Sequence, residues 1–374
     1  MKGATESQLL ATIRRWVELE TPSRLGPAIA ALVDIVEQQA QGAGLTTRRK
    51  DLGPQVGPLL TVSHRRAGDL RAGILVLAHL DTVHPIGTLA RNPFRVEGDL
   101  VYGPGSYDMK AGACVALEAL IQVAQRNTSA LPIDMVFVPD EEIGSAASRP
   151  DIERIASGAR YALVCEPARA GGRCVTARKG IGALTMSAHG CAAHAGLNHA
   201  LGRNAIRELA HQVLQLEAMT DHGRGVTVNV GTIEGGTTSN VVPELCRLTG
   251  EFRMPTQALA ADLQARLQAL QAHTADVTLE VKAWIKRPPY EKTDATAALL
   301  AQARQCAAAA GFSLEDVPMT GGASDGNFTA ALGIPTLDGL GVPGDGAHAL
   351  HEHFHLSSLA PRLAFWTSLF EDLS

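Results

Sequence analysis

The sequence predicts an α/β protein: a doubly wound, mostly parallel sheet in a domain interrupted by an inserted α+β domain. Three observations predict it. Continuous apolar runs of strand length stand at residues 73–79, 133–138 and 161–165, the pattern of strands buried on both faces. An alanine-rich helical stretch at 110–126 separates the first two, and strand–helix alternation implies parallel pairing. The middle third changes style, with two strands and a helix repeated twice, and the first style returns after Lys286-Arg287-Pro288-Pro289.

Helical patterns at 7–20 and 27–41 open the chain, the second stopped by Gly42 and Gly44. Residues 1–20 mix Lys2, Glu6, Arg14, Arg15 and Glu18 among apolar side chains, an amphipathic helix without the apolar core of a signal peptide. The insert carries strands near 182–189, 226–234, 245–253 and 277–285, with helices at 204–217 and 258–273. Behind it follow a helix at 295–310, a glycine turn at Gly321-Gly322, a short strand at 334–337 and a closing helix from Ser357. The expected division is therefore 1–177, an insert at 178–287, and 288–374. At 374 residues two domains are expected on size alone, because single cores stop growing near roughly 250–300 residues.

Composition narrows the partners. A net charge of -5 with no basic cluster argues against nucleic acid and anionic membranes, and no apolar run approaches spanning length. Six cysteines lie scattered without a C-x-x-C pair, which fits a reduced, cytoplasmic setting and buried thiols. Small-molecule chemistry is the expectation.

Four acidic or imidazole clusters follow the apolar runs: His79-Leu80-Asp81, Asp108-Met109-Lys110, Asp140-Glu141-Glu142 and Glu166-Pro167. In an open α/β sheet ligands bind beyond the carboxyl ends of strands, so these clusters point to a site for two metal ions. Asp81, two residues on from His79, is placed to support the imidazole whose other nitrogen faces a metal. Asp108, at the mouth of a helix, can bridge two cations. Of the neighbours Glu141 and Glu142, one can ligate while the other handles protons. Glu166 supplies a further carboxylate. A second histidine is needed, and His348 after Gly344-Asp-Gly-Ala is chosen over His351, His353 and His355, which are expected on a solvated segment. The Gly-x-Gly at Gly103 and Gly105 is a weak phosphate-loop signal, since no strand is seen feeding it.

These residues resemble the di-zinc aminoacylase and carboxypeptidase family. His79-Leu-Asp81-Thr-Val-His-Pro85, Gly105-Ser-Tyr-Asp-Met-Lys-Ala-Gly112, Asp140-Glu-Glu-Ile-Gly144 and Glu166-Pro167 carry the resemblance in order along most of the chain. Within the family the bacterial glutamate carboxypeptidases look nearest, with acetylornithine deacetylases and succinyl-diaminopimelate desuccinylases as relatives. The resemblance implies a catalytic domain with the insert as lid and dimerisation domain. It implies that Asp108 bridges, that His79 and Glu166 complete one metal site and Glu142 and His348 the other, and that Glu141 is the general base. A cis peptide after Asp108 is implied as well. His194 in Ala193-His-Ala-Gly196 resembles a histidine that reaches across the dimer to the substrate carbonyl. Asn240 and Arg287 resemble groups that hold a substrate α-carboxylate, a role for which a guanidinium suits better than Lys286. Arg253 is expected in a structural ion pair, and Arg178-Lys179-Gly180 follows a stretch that does not match the glutamate carboxypeptidases closely, where side-chain selectivity is expected to lie.

The implied activity is hydrolysis of the amide of an N-acyl amino acid or peptide with a free carboxylate, through a hydroxide shared by two zinc ions. Manganese or cobalt would suit the same donors. A deacylase of the deacetylase or desuccinylase type is the alternative. Gly322-Ala-Ser-Asp-Gly326 also fits a serine-hydrolase elbow with Ser324 as nucleophile, but that reading leaves the acidic clusters without a purpose, and Asp325 is expected simply to cap a helix. A metal-dependent binding protein without turnover would have no need of Glu141.

Overall fold

The computed structural model describes residues 5–66 and 68–374; Lys2 of the opening amphipathic segment lies outside them. Two compact units are present. One comprises Met1–Ala177, Lys292–Thr320 and Ser324–Ser374, and the other Arg178–Glu291 with Gly321–Ala323.

The first unit is built on a six-stranded sheet in the order Thr46–Asp51, Pro58–His64, Ile133–Val138, Gly73–His79, Ala159–Val164, Thr336–Leu337. Gly73–His79 lies parallel to both neighbours, and Thr336–Leu337 extends the parallel part. Pro58–His64 and Thr46–Asp51 pair antiparallel, so the sheet is mixed. Those two strands escape the sequence reading because the outer one, Thr-Thr-Arg-Arg-Lys-Asp, is almost wholly exposed and has no apolar face. Its charges suit an edge, where they discourage pairing with another chain.

Every residue of Gly73–His79 is buried, and alternation sorts them between two cores. Ile74, Val76 and Ala78 join the core under helices Glu6–Val17, Gly26–Gly42, Ala111–Arg126, Asp294–Ala309 and Leu359–Asp372. Leu75 and Leu77 join the smaller core under Arg149–Ala156 and Gly326–Ala331. Burial on both sides is what makes the run continuously apolar.

A second, antiparallel sheet in this unit has the order Gly344–Asp345, His353–His355, Leu100–Tyr102, Arg95–Glu97. It corrects two expectations. Leu100–Tyr102 does feed the Gly103 loop, and His353 and His355 stand on a paired strand, whereas exposed His351 precedes it in a turn. Strands of three residues are too short to show periodicity. The closing helix begins at Leu359, after a tight turn at Leu356–Ser358 whose Ser357 amide and hydroxyl are held by the Asp99 carboxylate.

The second unit is an antiparallel sheet in the order Thr227–Gly235, Leu245–Met254, Gly180–His189, Thr278–Arg287. Leu184, Met186 and Ala188 of one strand pack with Leu209 and Leu216 of helix Ala205–Glu217 and with Leu263 and Leu267 of helix Gln257–Gln268. That last helix stops short of residue 273 because the Glu208 carboxylate takes the amides of His273 and Thr274 out of any helical pattern. Among the described residues no helix is long and apolar enough to cross a membrane.

Candidate metal centre

His79 ends the central strand and is 2% exposed. Its Nδ1 donates to the Asp81 carbonyl at 2.9 Å; a carbonyl can only accept, so the other nitrogen is the one left with a lone pair. That nitrogen, Nε2, lies 3.2 Å from Asp108 Oδ1 and 3.9 Å from Glu166 Oε1. The expected support from the Asp81 side chain takes another form. Its carboxylate is 3.7 Å from Nδ1 and instead accepts from the Glu141 and Glu142 amides at 3.1 and 3.2 Å and from the Ser23 hydroxyl at 2.6 Å. The same-side rule for residues i and i+2 applies within a strand, and the strand has ended at His79. Asp81 thus fixes the acidic turn, and burial pushes its carboxyl up to about 6.

Asp108 sits between two imidazoles, with Oδ1 facing His79 and Oδ2 3.3 Å from His348 Nε2. The Asp108–Met109 peptide is cis, as the resemblance implies. Glu142 Oε2 is 3.2 Å from the same His348 nitrogen. Candidate ligand atoms of His79, Asp108 and Glu142 lie within 4.8 Å of one another, and so do those of His79, Glu141 and Glu166. The convergence shows in the acid–base balance. Hydrogen bonds that His348 donates to Asp108 and Glu142 raise it to about 10. Burial acts to lower His79, but Asp108, Glu166 and Glu142 outweigh it and hold the imidazole well above 6.5. Burial acts to raise Asp108, and its two imidazoles carry it below the usual carboxylate range instead.

This donor set fits divalent cations. Two ligands bound tetrahedrally at about 2.0–2.2 Å stand roughly 3.3–3.5 Å apart, close to the 3.2 and 3.3 Å separations around Asp108. Four carboxylates meet only two imidazoles, and Glu142 Oε1 is buried without a hydrogen-bond partner. A buried acceptor in that state is costly unless something electropositive faces it.

The second unit holds the other candidates. His194 is exposed and its Nδ1 accepts from the Gly196 and Leu197 amides at 3.1 and 3.2 Å, which leaves Nε2–H as an outward donor. Asn240 accompanies it: the Ala195 amide donates to the Asn240 carbonyl, and Ala193–His194 pairs with Val241–Val242. Arg287, 4% exposed, is elsewhere. It pairs with Ile181, whereas His194 and Asn240 lie past the His189–Leu245 end of the same sheet. From Ile181 to His189 is roughly 26 Å of strand at about 3.3 Å per residue. At that separation along the strands, Asn240 and Arg287 of one chain are not brought together. Arg253 bonds Glu251 at 2.7 Å and donates to the Gly321 carbonyl. Arg178 is buried and donates to the Gly322 carbonyl at 3.1 Å, a structural use.

The sequence profile of peptidase family M20/M25/M40 matches residues 75–372, which include all five candidate ligands and Glu141. The chain belongs to this family. Carboxypeptidase G2 of Pseudomonas sp. (strain RS-16) is 31% identical over all of this chain and 91% of its own length. Succinyl-diaminopimelate desuccinylase of Azoarcus sp. (strain BH72) is 27% identical over 92% of this chain and 93% of its own. Among solved structures, aminopeptidase PepT of Bacillus cereus ATCC 10987 superposes with a TM-score of 0.77 at 21% identity, covering 98% of each chain, a likeness of fold. As a member of the M20 family the chain is a metal-dependent hydrolase of the peptidase and amidohydrolase type.

The serine-hydrolase alternative fails on geometry. Ser324 is fully buried and its hydroxyl donates to the Asp338 carboxylate, not to an imidazole. Asp325 makes no side-chain cap and accepts from the Ser145 hydroxyl. One acid packed against this cluster was missed in sequence. Glu352 is fully buried beneath the Asp108 loop. Its signal was the alternation in His351-Glu-His-Phe-His355, which turns Glu352 and Phe354 inward and the histidines outward. The six cysteines are free thiols, five of them buried and Cys191 exposed.

Proposed function

We propose that this M20 hydrolase cleaves the amide bond of an N-acyl amino acid, or of a peptide with a free C-terminal carboxylate, releasing that amino acid. The observation that carries the reading is Asp108, whose two oxygens each face a different imidazole. His79 with Glu166, and Glu142 with His348, would hold one cation each, with Asp108 shared between them. Zinc is the expected ion, and manganese or cobalt would suit the same nitrogen and oxygen donors. When bound, the pair supplies Lewis acidity that polarises the scissile carbonyl and acidifies a water.

The chain's own groups do the rest. Glu141, its amide pinned to Asp81, takes a proton from the water as the water oxygen adds to the carbonyl carbon. The tetrahedral carbon then collapses, the C–N bond breaks, and Glu141 returns the proton to the leaving nitrogen. His194 Nε2–H is aimed outward to stabilise the developing oxyanion, and Arg287 holds the α-carboxylate.

Arg287, at the end of a strand of the four-stranded sheet, and His194, on the separate short ladder that follows the opposite His189–Leu245 end, support a homodimer through the 178–291 region, in which His194 and Asn240 serve the partner's site. Six free thiols support a cytoplasmic enzyme. The substrate remains an amide class shared by carboxypeptidases and deacylases, which a panel of dipeptides and N-acyl amino acids separates. In that panel Glu141→Ala is expected to keep its metal and lose turnover by about 10²- to 10⁴-fold, the usual worth of general acid–base catalysis. Retained turnover would remove Glu141 as the base.

A further inference from the structure

Glu352 gathers the three segments that carry His79, Asp108 and His348. Its Oε1 accepts from the amides of Tyr107 and Asp108, and its Oε2 from the amide of Gly105, each at 2.9 Å. Its own carbonyl accepts from the Gly103 amide at 3.3 Å. Four amides of the Asp108 loop are therefore held by one residue. The other contact of Oε2 is His84 Nε2 at 2.6 Å, in the stretch that follows His79 and Asp81. Along its own backbone Glu352 is tied through Ala349 and Gly346 to the turn that carries His348.

The burial makes these bonds consequential. Glu352 is 0% exposed and His84 7%, so loss of the acceptor would strand amide donors where no water replaces it. Charge-assisted bonds of this kind are also the stronger ones. The loop has little freedom to find other partners: at Gly105, φ 69°, an added Cβ would come within 2.5 Å of the Thr82 side chain.

We infer that Glu352, with His84 as its partner, is a positioning residue of the cation centre, which sets the spacing of His79, Asp108 and His348 while touching neither cation nor substrate. The inference rests on the proposed reading of those three residues as ligands. Conserving the shape while changing the chemistry tests it. Glu352→Gln keeps one acceptor oxygen for Tyr107 and Asp108 but turns an NH₂ group toward the Gly105 amide, donor against donor.

Three readouts apply: deuterium exchange of the peptide spanning 103–110 in metal-free protein, zinc affinity by competition with a chromophoric chelator, and the absorption spectrum of the cobalt-loaded protein. In Glu352→Gln the loop amides are expected to exchange faster, the cobalt bands to shift, and zinc affinity to fall about 10- to 100-fold, the range for partners that orient metal ligands. A variant that merely melts earlier, with wild-type zinc affinity and cobalt spectrum, would overturn the inference. Should Glu352→Gln not fold, His84→Phe is judged by the same three readouts and the same outcomes. Failure of wild-type protein to bind zinc or cobalt would remove the two-cation reading and this inference together, whereas wild-type binding beside an unaltered variant removes the inference alone.

Discussion

His348 stands on a left-handed turn, φ 67°, half-exposed, with its Nε2 facing both Asp108 and Glu142. In the metal-free chain those acids keep it protonated to about 10, and His79 is likewise held well above 6.5. A raised imidazole pKa stabilises the metal-free fold fully below the unfolded value near 6.5 and stops doing so as pH rises through about 10. Cation binding has the opposite sign, because a ligating imidazole must be neutral. Zinc uptake near neutral pH is therefore expected to release protons and to tighten as pH rises. Calorimetric titration in buffers of different ionisation enthalpy measures that release; affinity independent of pH, with no proton released, would remove His79 and His348 as ligands. The candidate ligands His79, Glu142 and Glu166 were readable in the sequence because their segments close apolar runs. The true partner of the His79 ring was not, because it is a backbone carbonyl, which no residue type announces.

Strand Gly73–His79 shows what an element contributes. Its alternating residues feed two cores, and the position of His79 at its end depends on both. Leu77→Ala opens a hole on the side of the smaller core, and a loss of about 2–5 kcal/mol is expected, the range for buried leucine truncations. Urea unfolding measures it; a loss within the roughly 0.5 kcal/mol typical of surface changes would contradict the two-core packing. This strand was legible because seven buried residues in a row leave a strong signal. The three-residue strands around Leu100–Tyr102 were not, and with them went Glu352, whose inward orientation follows from the pairing of His353–His355. Exposed Thr46–Asp51 was missed for the opposite reason, an edge whose side chains carry no apolar pattern.

At the scale of the whole molecule, the parallel part of the sheet follows from the apolar runs and the interruption by a second unit from the sequence's change of style, with the unit boundary at Arg178 where those runs give way to alternation. What one sequence could not reveal was that Arg287 pairs at the Ile181 end of the four-stranded sheet whereas Asn240 lies past its opposite, His189–Leu245 end, a consequence of strand register. Two copies resolve that separation if His194 and Asn240 act in trans. Mixing Glu141→Ala chains with His194→Ala chains tests it, since each alone is expected to be inactive while random exchange into two-fold dimers restores one site in half of them, about a quarter of wild-type activity. No recovery in verified mixed dimers would place His194 in its own chain's site. Everything depends, however, on whether Asp108 joins two cation sites. Counting zinc bound per chain at equilibrium after chelation and reloading, with turnover followed on the same samples, tests this most directly. Two ions per chain are expected, with activity lost when they are removed and regained when they return; full turnover by protein shown to hold no divalent ion would contradict it.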